Sequence, residues 1–179
     1  MATVRVLLQT TIPFADDDWH VGRFSLLLWP NYRSGRNGDV QRVTPAGQVH
    51  PLLRSPPRPG GVLEWLPSHP HEGSVGVSSG HPTGRVVATG QSKATGRPFN
   101  LIVTHDAGSE RSGAGAPGRW IAESSFHHFA DYNWDTARGA PSFVTEPTGD
   151  EIARAPSLLD DVRTYVSNIV GWLSPEASR

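Results

Sequence analysis

The chain of 179 residues has the length of one ordinary domain, and its 16 basic and 17 acidic side chains leave a formal charge of −1. A general nucleic-acid binder or a polybasic membrane-surface protein needs an excess of Lys and Arg, so this balance disfavours both. The sequence has no cysteine, which excludes disulfides, thiolate metal ligands and cysteine nucleophiles. No stretch approaches the roughly 18 apolar residues of a membrane span, and the amino terminus lacks the pattern of a secretory signal. We therefore expect a cytoplasmic protein that binds neither nucleic acid nor membrane.

The first 28 residues predict one strand followed by one helix. Residues 4–10 form a short apolar, β-branched run that suits an interior strand of a parallel sheet. A loop follows, and Asp17 or Asp18 can cap a short helix over residues 19–27. Strand, loop and helix in this order are the opening of an α/β unit.

The middle of the chain divides into a loop-rich part and a β-rich part. Residues 29–61 are rich in proline and turn-forming residues and predict loop, whereas residues 62–135 predict strands. The strands expected there cover residues 62–66, 85–91, 97–105 and 119–126. The second and third of these strands predict a hairpin, because only a short polar segment separates them.

The carboxyl-terminal residues 156–174 have the clearest helix pattern. Ser157 and Asp160 stand at the spacing of a capping box. Apolar side chains then recur at three- and four-residue spacing, at Leu158, Val162, Tyr165, Val166, Ile169 and Leu173. One such stripe predicts an amphipathic helix that docks on a sheet, and Pro175 ends it.

Two short motifs match catalytic or cofactor patterns without the flanking elements that those patterns need. Residues 76–80 fit G-x-S-x-G, but His81 and Pro82 follow where a helix should begin, so we do not expect Ser78 to be a nucleophile. Residues 113–118 fit G-x-G-x-x-G but lead into β-prone residues, so we expect a flexible loop rather than a dinucleotide site.

Histidines and carboxylates gather in three places along the chain. These groups are His69-Pro70-His71-Glu72, His105-Asp106, and His127-His128 with Asp131. Pro70 holds His69 in an extended conformation, so both rings of the first group leave on the same side of the chain. The other two groups end predicted strands, where α/β folds gather functional side chains.

If these groups meet, they form a His/carboxylate site for zinc, manganese or iron. The expected metal ligands are His69, His71 and His127. Glu72 or Asp131 is then the expected base, with His128 as a proton carrier. Two other interpretations stay open: a metal-free polar pocket built from the same groups, and structural histidines whose rings bond to the backbone.

Four segments carry a resemblance to a known family. They are VLLQTTIPFADDDWHVGRFSLL, LPSHPHEGSVG, GRVVATGQSKATGRPFNLIV and ESSFHHFADYNWD. Together they resemble a bacterial and fungal family related to ThuA-like proteins of the class I glutamine amidotransferase-like superfamily. The resemblance implies an α/β fold with a mixed, mainly parallel, flavodoxin-like sheet flanked by helices, ending in an amphipathic helix.

The same resemblance bears on function, because ThuA-like proteins are associated with sugar metabolism. It implies a small carbohydrate as ligand, whereas glutamine hydrolysis is not implied because that chemistry uses a cysteine. Leu28 runs directly into Trp29 where the family has several α/β units, so the chain resembles a member that lacks its middle portion. Exposed sheet edges are then expected, which a homodimer or the strands within residues 85–126 can cover.

We therefore expect a single α/β domain over residues 1–179 that binds or acts on a sugar-like small molecule through a His/carboxylate pocket. The alternative is a non-catalytic accessory or binding module in which the histidines hold loops. The sequence leaves open which of the two applies, and so whether the protein is an enzyme.

Overall fold

The computed structural model describes residues 25–81, 83–106, 118–142 and 144–174, with side chains from Tyr32 onward. The strands within these residues are β1 (Ser25–Tyr32), β2 (Val40–Arg42), β3 (Thr44–Pro45), β4 (Trp65–Pro67), β5 (Glu72–Val77), β6 (Gly84–Gln91), β7 (Pro98–His105) and β8 (Trp120–Glu123). The α-helices are α1 (Asp131–Trp134), α2 (Glu151–Arg154) and α3 (Leu159–Leu173). Short 3-10 turns lie at Pro51–Leu53, Pro59–Gly61, Phe126–Phe129, Thr136–Arg138 and Pro156–Leu158.

Every strand pairing in the described residues is antiparallel. Strands β3, β6, β7 and β8 form a four-stranded sheet in that order, whereas β1 pairs with β5 and β2 pairs with β4. Strand β5 is also tied to the larger sheet, because Asn100 Nδ2 donates to Val75 O at 2.7 Å. At its start, Gly73 N donates to Ser124 O at 3.0 Å. These bonds place the beginning of β5 beside the end of β8.

The mixed, mainly parallel, flavodoxin-like sheet expected from the sequence is wrong. Parallel neighbours need a crossover of about a dozen residues or more, usually a helix. Here β6 and β7 are joined by residues 92–97, which is long enough only for an antiparallel hairpin. Helices α1 and α2 have 4 residues each and follow the last strand, so neither serves as a crossover between strands.

Only the last residues of the predicted opening strand–helix unit lie within the described part of the chain. Residues 1–24, with the strand predicted over residues 4–10, lie outside the described part of the chain. The last residues of the helix predicted over residues 19–27 belong instead to β1, where Leu27 pairs with Val75 of β5. An apolar run fits a strand as well as a helix when it is this short, and here pairing with β5 decides the outcome.

Several other elements are confirmed. The predicted hairpin is β6 and β7, paired from Gly84 and His105 to Gln91 and Pro98. The strand predicted over residues 119–126 is realised as the shorter β8. Of the strand predicted over residues 62–66, only Trp65 and Leu66 lie in β4, which ends at Pro67. Ser78 follows β5, and the next element is strand β6 rather than the helix that a nucleophile elbow needs.

The carboxyl-terminal helix docks as predicted but begins differently. Within α3, Val162, Tyr165 and Trp172 are buried, and the last two join the hydrophobic core. The predicted capping box is absent: Ser157 lies in a 3-10 turn, and α3 has no side-chain cap. The buried carboxylate of Asp161 instead accepts from Glu64 N and Trp65 N at 2.9 and 3.0 Å, which fastens the helix to β4.

The hydrophobic core lies between the four-stranded sheet, the loop before β4 and helix α3. Its buried members are Val43, Leu52, Leu53, Leu63, Leu66, Val87, Ala88, Phe99, Leu101, Ile102, Tyr165 and Trp172. Burying a side chain of this kind stabilises the fold by roughly 1.5–3 kcal/mol. Next to this apolar core lies a second buried region that is polar, and it carries the candidate site.

Candidate functional site

Two of the three predicted histidine groups meet. The loop before β5 carries His69 and His71, and the 3-10 turn after β8 carries His127. The rings of His69 and His127 stack with centroids 3.3 Å apart, and the centroids of His69 and His71 are 5.9 Å apart. The segments come together because the beginning of β5 is bonded to the residue that follows β8.

Backbone and side-chain hydrogen bonds hold both stacked rings. His69 Nδ1 accepts from His71 N at 3.0 Å, and Ser34 Oγ accepts from His69 N at 3.0 Å. On the facing turn, the Tyr132 hydroxyl lies 2.7 Å from His127 Nδ1, and Ser125 Oγ accepts from His127 N at 3.1 Å. The imidazoles are therefore held in place before any ligand arrives.

The outer edge of this cluster is exposed. His71 Nε2 lies 2.5 Å from Glu146 Oε1, a distance at which an imidazole N–H donates to a carboxylate. The Phe126 ring tilts over His127 with centroids 3.9 Å apart, and Phe126 is 42% exposed. We call the group His69, His71, Phe126, His127 and Glu146 the histidine face. Phe126, His71 and Glu146 reach solvent, whereas the stacked rings of His69 and His127 are buried, at 6% and 7% exposure.

Behind the histidine face, Glu72 is completely buried in a polar environment. Its carboxylate accepts a short hydrogen bond from Ser34 Oγ, a bond from Gln41 Nε2 at 2.5 Å and one from Ser124 Oγ at 3.4 Å. Strand β2 supplies Gln41, β5 supplies Glu72, and Ser124 directly follows β8. Polar groups from three separate strands thus converge on one carboxylate.

The same network continues through His128, which is also completely buried. His128 Nε2 lies 3.4 Å from Gln41 Nε2, and its Nδ1 lies 2.5 Å from Glu123 Oε2. The other carboxylate oxygen, Glu123 Oε1, accepts from the Tyr165 hydroxyl of α3 at 2.5 Å. We call the connected group the buried polar network; its members are Ser34, Gln41, Glu72, Glu123, Ser124, His128 and Tyr165.

The orientation of the Gln41 amide is coupled to which groups of this network carry protons. Its Nε2 lies within 3.4 Å of Pro67 O, Glu72 Oε1 and His128 Nε2, whereas its buried Oε1 has no hydrogen-bond partner among the described residues. An amide has two hydrogens, and its N and O positions are interchangeable in shape. Reversed, the amide oxygen accepts from a protonated Glu72 and from an imidazolium at His128, but it then lies 3.2 Å from Pro67 O with no hydrogen between the two oxygens. Each orientation therefore leaves one of these contacts unsatisfied, and only the reversed one fits a neutral Glu72.

Burial and charge shift the pKa values in the direction that this proton arrangement needs. Burial raises the pKa of Glu72 to about 7, although the charge of His128 and the hydrogen bonds from Ser34 and Gln41 oppose the shift. Burial alone would lower the pKa of His128, but the hydrogen bond and the charge of Glu123 raise it above its usual value. Both Glu72 and His128 therefore keep their protons to higher pH than they would in water.

The stacked imidazoles behave in the opposite way. Burial lowers the pKa of His69 to about 4, with a further lowering from the charges of His71 and His128. Burial also lowers the pKa of His127 to about 3, and the charges of His69, His128 and His71 act in the same direction. At neutral pH both rings are therefore uncharged, and each offers one hydrogen-bond donor or acceptor per nitrogen.

The third predicted group, His105 with Asp106, does not join this site, so the expected convergence of all three groups is wrong. His105 pairs with Trp120 at the beginning of β8, whereas the candidate site lies at the other end of that strand. Its Nδ1 lies 2.9 Å from Thr83 Oγ1, and its ring stacks on Trp120 at 5.7 Å. This group fastens the loop before β6 to the sheet.

Asp131, predicted as a catalytic base, is exposed and faces away from the buried carboxylate. It lines a separate cavity between α1 and α3, and its Oδ2 lies 4.0 Å from Arg138 Nη1. The other two residues predicted as catalytic, Glu72 and His128, belong together in the buried polar network. The predicted acid–base set is thus split between two places.

The predicted metal ligands His69, His71 and His127 do lie together, but their arrangement is a ring stack. In the residues that the structure describes, no group of three or more His, Asp or Glu side chains is arranged to hold a metal ion. Three histidines instead accept backbone N–H groups two residues farther on, as the structural interpretation expects. These bonds are Leu52 N to His50 at 3.2 Å, His71 N to His69 at 3.0 Å and Thr83 N to His81 at 3.3 Å.

Sequence reasoning missed most partners of the site. The missed residues are Ser34, Gln41, Glu123, Ser124, Tyr132, Glu146 and Tyr165. Gln41 and Glu123 lie in short strands, where a polar side chain is ordinarily read as solvent-facing. The helical periodicity predicts Tyr165 as part of the apolar stripe. It does not predict that the Tyr165 hydroxyl enters the buried polar network. The one usable signal was the aromatic segment after β8, which contains Tyr132.

Comparisons of this chain with protein-family models, with curated proteins and with solved structures give no match. The resemblance to ThuA-like proteins, the sugar-like ligand and the homodimer therefore stay predictions from the sequence. Among the helices of the described residues, none is both long and apolar enough to cross a membrane.

Proposed function

We propose that the described part of the chain is a non-catalytic binding module that holds a small polyhydroxylated, sugar-like molecule at the histidine face. One observation carries the proposal: the residues whose pKa values suit proton transfer are not the residues that reach solvent. Glu72 and His128, whose pKa values suit proton transfer, have 0% of their surface exposed. The exposed edge instead presents groups suited to binding.

The exposed groups match the chemistry of a sugar. A sugar ring has an apolar C–H face that packs on an aromatic ring, and Phe126 offers such a ring beside the imidazoles. Its hydroxyls both donate and accept, so they can donate to the carboxylate of Glu146 and exchange with the bond that joins this carboxylate to His71. Because His69 and His127 are uncharged at neutral pH, the face requires no charged ligand.

The same geometry argues against catalysis by the buried groups. A general base must come within about 2.6–3.2 Å of the proton that it abstracts, directly or through one water. Glu72 and His128 already use their polar atoms within the network and have no exposed surface. Their role in the module is to join strands β2, β5 and β8 with helix α3 and so to hold the histidine face from behind.

Isothermal titration calorimetry with hexoses and hexitols, such as glucose and mannitol, tests this proposal. Replacement of Phe126 by Ala should raise the dissociation constant of the bound sugar at least about fivefold, the equivalent of one lost aromatic contact. The matched control is Phe129→Ala, because Phe129 lies on the same 3-10 turn, is 37% exposed and packs on Tyr165 instead. Equal effects of the two variants, or no saturable binding by the parent protein, would contradict the proposal.

A second candidate function is an acid–base enzyme that uses Glu72 and His128; Asp131, in its separate cavity, is not part of it. It is favoured by the pKa of Glu72, about 7, and by the carboxylate–imidazole pair of Glu123 and His128, since such shifts gather at active sites. Hydrolysis of chromogenic p-nitrophenyl glycosides and esters tests it. The enzyme interpretation expects turnover that Glu72→Gln abolishes while the melting temperature is preserved. Turnover that is absent from the parent, or retained in this variant, excludes Glu72 chemistry on these substrates.

A further inference from the structure

A second candidate site lies away from the histidine face. It is a cavity of about 570 Å³ between α1 and the turn after it on one side and α2 and α3 on the other. A volume of this size lies within the range of small-molecule sites in proteins. The cavity contains none of the histidines, and Asp131 is its one member among the site residues predicted from the sequence.

The floor of the cavity is apolar and already ordered. Trp134, Ile152 and Leu159 contribute to it. The Trp134 indole donates through Nε1 to His128 O at 2.8 Å, so the ring is held as a fixed wall. Ile152 is buried in the protein body. A ligand in this cavity therefore gains apolar contact without having to order a flexible side chain.

The rim of the cavity carries charges of both signs, on different elements. Asp131 and Asp135 lie at the two ends of the α1 segment, Arg138 ends the turn that follows it, and Arg163 lies on α3. In the free protein, Arg163 is 2.8 Å from Asp160, and Asp135 is 3.4 Å from Arg138. All of these pairs are exposed, and exposed ion pairs contribute little stability, so a charged ligand can replace them.

From this arrangement we infer that the cavity binds a small zwitterion, namely a free α-amino acid with an apolar side chain. Its carboxylate pairs with Arg163, its ammonium group pairs with Asp131 or Asp135, and its side chain packs against Trp134 and Leu159. The charged side chains that line the cavity are two aspartates and two arginines, Arg138 and Arg163, so they balance one another. A zwitterion keeps this balance, whereas a purely anionic or purely cationic ligand leaves two like-charged groups of the lining without a counter-charge.

Tryptophan fluorescence of the full chain, titrated with leucine, tests the inference. We expect saturable quenching that is at least tenfold weaker with leucinamide, which lacks the carboxylate, and with N-acetylleucine, which lacks the ammonium group. Trp134→Phe should remove the signal. If the quenching by leucine persists in Trp134→Phe, or if leucine, leucinamide and N-acetylleucine bind equally, the inference is overturned.

Two arginine variants test whether the carboxylate of the bound amino acid pairs with Arg163. Arg163→Gln should weaken leucine at least fivefold and abolish its advantage over leucinamide. Arg154→Gln is the matched control, because Arg154 is an equally exposed arginine of α2 that pairs with Asp150 at 3.0 Å and does not line the cavity. Both side chains lie on the surface, so unchanged melting temperatures verify the folds. Equal loss in both variants, or no loss in either, overturns the assignment, as does a parent protein that shows no saturable response to leucine.

Discussion

The two groups of clustered histidines differ in what lies behind their rings. His69 and His127 lie against the buried polar network, in which Glu72 is fully buried and the Glu123 side chain is 9% exposed, whereas His105 lies beside the Thr83 hydroxyl. Burial lowers the imidazole pKa values in both places, so ring packing alone does not distinguish them. The carboxylates of Glu72 and Glu123 distinguish the two places. They let one histidine of the first group, His128, hold a charge inside the fold, while the second group only fastens a loop.

The largest expected effect comes from removing the imidazole that carries this charge. His128→Leu leaves the carboxylate of Glu123 without its cation in a buried site, which costs about 3–5 kcal/mol of unfolding free energy. His105→Leu removes a neutral ring from one hydroxyl bond and should cost about 1–2 kcal/mol. Urea unfolding at neutral pH compares the two variants directly.

The double variant Glu123→Gln/His128→Leu is the control for charge. With Gln at position 123 the buried charge is gone, and its amide oxygen still accepts from Tyr165. The double variant should therefore be more stable than His128→Leu alone, a coupling that a double-mutant cycle measures. Strictly additive losses would mean that His128 contributes only packing, and the contrast between the two histidine groups would then disappear.

The next effect is the dependence of stability on pH that Glu72 introduces. Its pKa is raised from 4.5 in the unfolded chain to about 7 in the fold, so its contribution is fully present below pH 4.5 and is lost as the pH rises to about 7. The loss amounts to about 3 kcal/mol. Glu72→Gln has the shape of the neutral acid and does not titrate. Relative to the parent, the variant should therefore gain stability between pH 4.5 and pH 7.

The stacked histidines act in the opposite direction, which is why the difference between variant and parent must be measured. Their pKa values are lowered from 6.5 to about 4 for His69 and about 3 for His127, so they stabilise the fold above pH 6.5 and lose that contribution as the pH falls toward these values. Both proteins share this trend, and it cancels in the difference. Parallel stability curves for the parent and Glu72→Gln would show that Glu72 is ionised in the fold at all of these pH values.

The part of the fold that sequence predicted correctly is the part governed by local signals. The hairpin of β6 and β7 and the stripe of α3 follow from periodicity over neighbouring residues. The direction of strand pairing does not, because an apolar run such as residues 26–28 has the same composition beside a parallel or an antiparallel partner. Strand β5 gave no clear signal either, since Gly73 and Gly76 interrupt its apolar pattern.

The candidate site was predictable only where its chemistry is concentrated in short segments. His69, Glu72 and His128 were singled out because histidines and carboxylates cluster in the chain, and the structure does bring these segments together. Gln41 lies 31 residues from Glu72 and became a partner only through long-range strand arrangement. Sequence spacing therefore identified the chemical groups but not their burial, and burial keeps Glu72 out of contact with solvent.

The smallest effect on stability belongs to the exposed side of the site, where Phe126→Ala should cost about 1 kcal/mol because the ring is half exposed and contacts His127 by one face. Melting temperature and sugar affinity, measured on the same preparation, then separate the two sides of the cluster. Phe126→Ala should lose sugar binding while nearly keeping the parent stability. Glu72→Gln, behind the histidine face, should keep sugar binding and change the pH dependence of unfolding. If Glu72→Gln instead lost the ligand and Phe126→Ala kept it, the ligand would contact the buried carboxylate, and the separation of chemistry from access would fail.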